Sequence, residues 1–64
     1  MNKTNNQELQ VGDKVEALVS MAKGREGTIV EIDMNRALPV AVEFDGVSHE
    51  MDFKTWEVKL LEGY

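Results

Sequence analysis

The single histidine, His49, is flanked by Ser48 and lies close to Asp45, Glu50 and Asp52 in the chain. A hydroxyl, an imidazole and a carboxylate are the parts of a nucleophilic relay, in which the base must reach the hydroxyl and the acid must orient the base. The spacing works against that use. Adjacent strand residues point to opposite faces, so Ser48 and His49 are poorly placed as a pair. Val47, His49 and Met51 share one face, and His49 reads as an inward or rim histidine of a strand. Glu31, Asp33 and Asn35 offer oxygen ligands, but the acidic residue and glycine that an EF-hand requires do not follow at its spacing. Gly24 and Gly27 make no phosphate loop, since no Gly-Lys-Ser/Thr follows and no helix opens there. The absence of cysteine excludes disulfides and thiolate zinc sites. The residues predict a chain that is not an enzyme and carries no cofactor or metal.

What remains is the chemistry of surfaces. Glu31, Asp33, Glu43 and Asp45 fall on or beside neighbouring strands and would make an acidic patch suited to a basic protein surface. Lys23 and Arg25, joined by Lys14 or Lys54, are the only basic cluster. Arg36 sits with Met34 and Leu38 in a connection that would present an apolar contact with a charged rim. Trp56 is expected to pack on the core, with an exposed interface anchor as the alternative, since Trp, Tyr and Arg dominate binding hot spots. The candidate partner-binding residues are therefore Lys23, Arg25, Glu31, Asp33, Arg36, Glu43 and Trp56. Twelve acidic against seven basic side chains give a net charge of −5. Binding of RNA or DNA gains affinity by neutralising phosphates, so this balance disfavours it. A protein partner is expected instead.

Positioning these residues falls to a small fold. The chain has 64 residues, enough for one domain whose stability rests on a single core or on self-association. No apolar run approaches the roughly 20 residues that span a bilayer, and no secretion signal is visible at the start. The expectation is a cytoplasmic protein without membrane contact, a monomer or weak homodimer. Its size would also suit a phage protein aimed at a host complex. Residues 1–10 are polar and read as a flexible tail, with the folded domain over 11–64.

From Val11 the pattern becomes that of short strands. Val15, Ala17 and Val19 alternate with Lys14, Glu16 and Ser20, a half-buried strand that Leu18 interrupts on its polar face. Met21 to Glu26 is a loop. Gly27 to Asp33 is a strand in which Ile29 departs from the face of Thr28, Val30 and Ile32, as a bulge or barrel corner would require. Asp33-Met34-Asn35-Arg36 has turn composition. Pro39 opens a strand carrying Val40, Val42 and Phe44 on one face. Asp45-Gly46 is a strong hairpin signal, with Val47 to Phe53 as the return strand. Phe53 to Trp56 is a tight turn, and Val58 and Leu60 are the inward pair of the last strand. The expected core is Val15, Val19, Ile29, Ile32, Val40, Val42, Phe44, Met51, Val58 and Leu60, with Phe53.

Gly12-Asp13-Lys14-Val15, Gly24, Gly27, Ile29, Ile32 and Val40-Ala41-Val42 resemble the KOW motif of transcription elongation factors and ribosomal proteins, over about Val11 to Phe44. Gly27 matches that motif's characteristic glycine. Gly27 to Asp33 with Leu38 to Asp45 is also similar to a small accessory protein of photosystem I and to the variable chain of ferredoxin–thioredoxin reductase. All of these imply an all-β, five-stranded SH3-like barrel. The first loop, Met21 to Glu26, is shorter than that of the photosystem protein and lacks its aromatics, so the fold carries over and the photosynthetic role does not. The functions implied are docking on a protein, ribonucleoprotein or transcription complex, RNA binding of KOW type through Lys14, Lys23, Arg25 and Lys54, or service as an accessory subunit of a redox complex. One barrel serving such different roles does not by itself fix the activity.

Overall fold

The structure, a computed structural model, describes residues 9–61. Its first strand, β1 (Lys14–Ala17), buries Val15 and Ala17 completely. The alternation continues in the sequence to Val19, but the strand does not. Ser20 takes φ 67°, a left-handed conformation costly for a residue with a side chain, and opens a 3-10 turn over Ser20–Ala22. Val19 is consequently expelled from the expected core, at 37% exposure, and Ala22 takes a buried place at 3%.

The second strand, β2 (Glu26–Ile32), contains the bulge that its sequence demands. Ile29 pairs with Val42, while Ile32, three residues on, pairs with Val40, only two residues away. The extra residue at Val30 lets Ile29 and Ile32 face the same interior, which strict alternation forbids. A turn follows, in which the backbone N–H of Asn35 donates to Asp33 Oδ1 at 3.0 Å and that of Arg36 to the Asp33 carbonyl at 3.0 Å. Strand β3 (Val40–Phe44) then returns with Val40, Val42 and Phe44 inward.

The hairpin at Asp45-Gly46 departs from expectation. The Val47 N–H bonds the Phe44 carbonyl at 3.2 Å, so residues 44–47 do turn. Only Gly46 has positive φ, at 82°. The two-residue turns that match strand twist need positive φ at both central residues or at the first, and the first here, Asp45, lacks it. Without it the strands separate, and pairing resumes only at β4 (Met51–Phe53), with Met51 opposite Val42. His49 lies in this loop and is exposed, so the inward placement is corrected. A second 3-10 turn, Thr55–Glu57, leads into β5 (Val58–Leu60). Glu57 Oε1 secures that turn by accepting the Lys54 N–H at 2.9 Å.

The five strands are antiparallel neighbours in the order β4-β3-β2-β1-β5. Laid flat, four gaps of about 4.8 Å would set β4 and β5 roughly 19 Å apart. Four residues, 54–57, join them, and three of these are wound into the short 3-10 turn. The sheet must therefore roll over its own apolar face. Phe44, Phe53, Ile29, Val15, Val40 and Val42 fill the interior, with the Phe44 and Phe53 rings edge to face at 6.0 Å. Val58 is buried beside them, and Ile32, Met51 and Leu60 pack against the cluster half-buried.

The chain's two described ends meet at β1. The Leu61 N–H bonds the Lys14 carbonyl at 2.9 Å, and the Gly12 N–H bonds the Ile29 carbonyl at 2.8 Å. Leu9 packs against the core, and the Gln10 N–H is held by Asp13 Oδ2 at 2.9 Å. Of the polar tail expected over residues 1–10, positions 9 and 10 thus belong to the fold, and 1–8 lie outside the described residues, as does Tyr64.

Candidate docking surface

A rolled sheet that buries its own apolar face should leave few large apolar side chains outside. Several remain, and three follow one run of backbone. Leu18 and Val19, just past β1, are 39% and 37% exposed, and Met21, in the first 3-10 turn, is 95% exposed. The Leu18 N–H bonds the Glu57 carbonyl at 2.9 Å, which sets this run against the second 3-10 turn and Trp56. Trp56 is 71% exposed, so the expected core packing is corrected. The 3-10 turn accounts for this: it contributes no buried side chain. Lys54 Nζ stands 5.2 Å from the centre of the indole ring, a cation–π contact that steadies the side chain.

Beyond Met21 the surface dips into an open cleft of about 310 Å³. Met21, Ala22 and Arg25 form one wall, Gly46, Val47 and Met51 the other, with Phe44 between them. The cleft exists because the β3–β4 connection does not close as a tight hairpin. Lys23 and Arg25 are exposed on the turn that borders it, where the Gly24 N–H bonds the Ala17 carbonyl at 2.8 Å and the Ala17 N–H bonds the Arg25 carbonyl at 2.9 Å. Gly24 has φ 89°, which this return requires.

The remaining candidate residues stand elsewhere and perform different work. Glu31, Ala41 and Asp52 form a row across β2, β3 and β4. The Arg36 guanidinium spans it, 3.5 Å from Glu31 Oε1 and 3.1 Å from Asp52 Oδ2. Ala41, between the two carboxylates, is 1% exposed although it lies on the outer face. Arg36 thus acts as a clasp across three strands, and its aliphatic stem contributes as well as its charge. Asp33 is engaged in the turn described above, and Glu43 is exposed in β3. Exposed ion pairs contribute little each. Arg36→Ala is expected to lower unfolding stability by about 1 kcal/mol in urea titration, and Arg36→Met, which keeps the stem, by clearly less.

Charge is unevenly shared among the described residues. The half built from the end of β2, β3, β4 and their loops holds six carboxylates (Glu31, Asp33, Glu43, Asp45, Glu50, Asp52) and one cation, Arg36. The half built from β1, the start of β2, both 3-10 turns and β5 holds four carboxylates and five cations. The apolar strip belongs to the second half. Within that half, Lys23, Arg25 and Lys54 make no ion pair with any described carboxylate.

Among the described residues no group of three or more His, Asp or Glu side chains could hold a metal ion, and no helix is long and apolar enough to cross a membrane. Sequence reasoning placed Lys23 and Arg25 on the surface that emerges here, offered Trp56 only as the alternative to core packing, put Val19 in the core, and missed Leu18, Met21 and Val47. Leu18 left a signal by interrupting the polar face of β1. Comparison of the chain with protein-family models, with curated proteins and with solved structures yields no match.

Proposed function

We propose that the protein is a non-enzymatic interaction module that docks on a protein partner through the strip Leu18, Val19, Met21 and Trp56. The observation that carries this reading is the exposure of Trp56 and Met21, at 71% and 95%, on two 3-10 turns whose flanking backbone is hydrogen-bonded together; Val11, Met34 and Leu38 are exposed elsewhere. The Leu18–Glu57 hydrogen bond brings together the two segments that carry these side chains, and exposed apolar patches rimmed by charge are characteristic of binding sites. Tryptophan gives large contact area at low entropic cost, and methionine adapts to the shape of a partner. The SH3-like barrel of the family resemblance is compatible with five antiparallel strands in one rolled sheet.

The test is quantitative capture from a lysate of the source organism with wild-type protein and with Trp56→Ala and Met21→Ser. Removing a hot-spot tryptophan typically costs 2 kcal/mol or more of binding energy, roughly thirtyfold in affinity. Both variants are expected to melt within a few degrees of wild type, because neither side chain is buried. A partner retained by wild type and lost by both variants supports the reading. Equal retention by all three proteins refutes it.

A further inference from the structure

We propose that the cleft beside Met21 receives one apolar side chain of a partner segment whose neighbouring carboxylate pairs with Arg25. This rests on the docking reading above and specifies what the partner must carry.

The walls dictate an apolar anchor. Ala22 and Phe44 are buried, Val47 and Met51 half-buried, and Met21 stands exposed at the edge. At about 310 Å³ the cleft lies near the lower end of ligand pockets, a size for one or two side chains rather than a cofactor. Among the described residues Arg25 is the one charged side chain in the lining, and it is paired with no described carboxylate. A guanidinium at the edge of an apolar recess prefers a carboxylate, which it can grip with two parallel hydrogen bonds.

The opposite rim limits how acidic the occupant is. Asp45 and Glu50 are exposed in the loop that supplies Gly46 and Val47. A segment acidic throughout would gain at Arg25 and Lys23 and lose at Asp45 and Glu50. The complementary segment is bipolar: a carboxylate on one side of the anchor, a neutral or basic residue on the other. A polyanionic strand of nucleic acid fails that criterion at the Asp45 rim.

The probes are two short blocked peptides, Lys-Gly-Phe-Gly-Glu and Glu-Gly-Phe-Gly-Lys, titrated into the full chain by amide NMR. Controls replace Phe by Ser, or Glu by Lys, and a twelve-nucleotide oligouridine is titrated in parallel. One of the two peptides is expected to shift the amides of Met21 to Arg25 and of Gly46 to Met51. The Phe-to-Ser control should bind at least tenfold more weakly. Arg25→Glu should weaken the parent peptide at least fivefold and strengthen the Glu-to-Lys peptide. Equal shifts from the Ser control, shifts confined to other surfaces, no shifts at millimolar peptide, or tighter binding of oligouridine to the same amides would each overturn the proposal. Failure of the peptides with capture still dependent on Trp56 would leave the docking reading standing. Loss of that dependence with the peptides still bound would remove the docking reading alone.

Discussion

Gly27→Ala is expected to destabilise the domain by about 3 kcal/mol or more, lowering its melting temperature by more than about ten degrees. A Cβ at Gly27 would sit 2.7 Å from the Glu43 carbonyl oxygen, 2.7 Å from Val42 Cγ1 and 2.8 Å from Phe44 Cδ1. All three distances are shorter than carbon and oxygen atoms tolerate, and one of the obstructing atoms is backbone. The strand pairing of Gly27 with Phe44 would have to spread to admit the methyl group. Overpacking of a tight core typically costs about 1–3 kcal/mol and more where backbone must move. A domain of 64 residues has roughly 3–10 kcal/mol to lose. Circular dichroism melts of Gly27→Ala and Gly24→Ala separate space from conformation. Gly24 has positive φ with nothing near its missing Cβ, so its substitution should cost only the backbone penalty of about 1–2 kcal/mol. A Gly27→Ala melt within a few degrees of wild type would show that β2 and β3 do not approach as closely as described.

Phe44→Ala should be comparably severe. Phe44 is 2% exposed, stacks edge to face on Phe53 and lines the cleft. Deleting a buried phenyl ring costs about 3–5 kcal/mol through lost transfer energy and the cavity left behind. Urea unfolding is expected to find little or no folded baseline for this variant. Phe44→Leu keeps most of the volume and should cost about 1.5 kcal/mol or less. The two sites touch, so their effects should not add. Leucine keeps two δ carbons, though no rigid ring, and Val42 Cγ1 stays 2.7 Å from the new methyl group, so Phe44→Leu beside Gly27→Ala is expected to recover only a small part of the loss. The Glu43 carbonyl remains in the way, so recovery stays incomplete.

These outcomes bear on how far the fold is written in local pattern. The strand faces are legible because apolar alternation is a local property: Val15 with Ala17, and Val40 with Val42 and Phe44, require only a period of two. The bulge at Val30 is legible through its contradiction, since Ile29 and Ile32 both need the interior. Val19 defeats the pattern because the chain leaves β1 through a left-handed serine, a position that sequence usually marks with glycine. The β3–β4 connection does so for a related reason: Asp45-Gly46 is permitted in the twist-matched turn but does not adopt it, and the cleft is the result. The size of Trp56 argues for the core, whereas the 3-10 turn that carries it has no buried face.

The candidate site is legible only in part. Lys23 and Arg25 stand out as the local basic pair, and they border the cleft. Arg36 draws notice as a loop arginine, but its partners are a strand residue five positions back and another sixteen ahead. Nothing short of the strand register reveals that both carboxylates flank Ala41. The expected single set of binding residues therefore divides in two. Trp56 lies in the exposed apolar strip with Lys23 and Arg25 nearby, while Glu31, Asp33 and Arg36 hold the acidic half together and Glu43 stands exposed within it.

The meeting of Leu61 with Lys14 has an engineering consequence. Chain entering through Leu9 and chain leaving through Leu61 emerge beside the first residue of β1, one strand's length from Leu18, where the apolar strip begins. With entry and exit side by side, the segment from Leu9 to Leu61 can be spliced into a loop of a carrier protein without pulling the sheet apart. Joining the two ends with a short glycine linker and reopening the chain in the 45–50 loop should yield a circular permutant that keeps the sheet and frees one wall of the cleft.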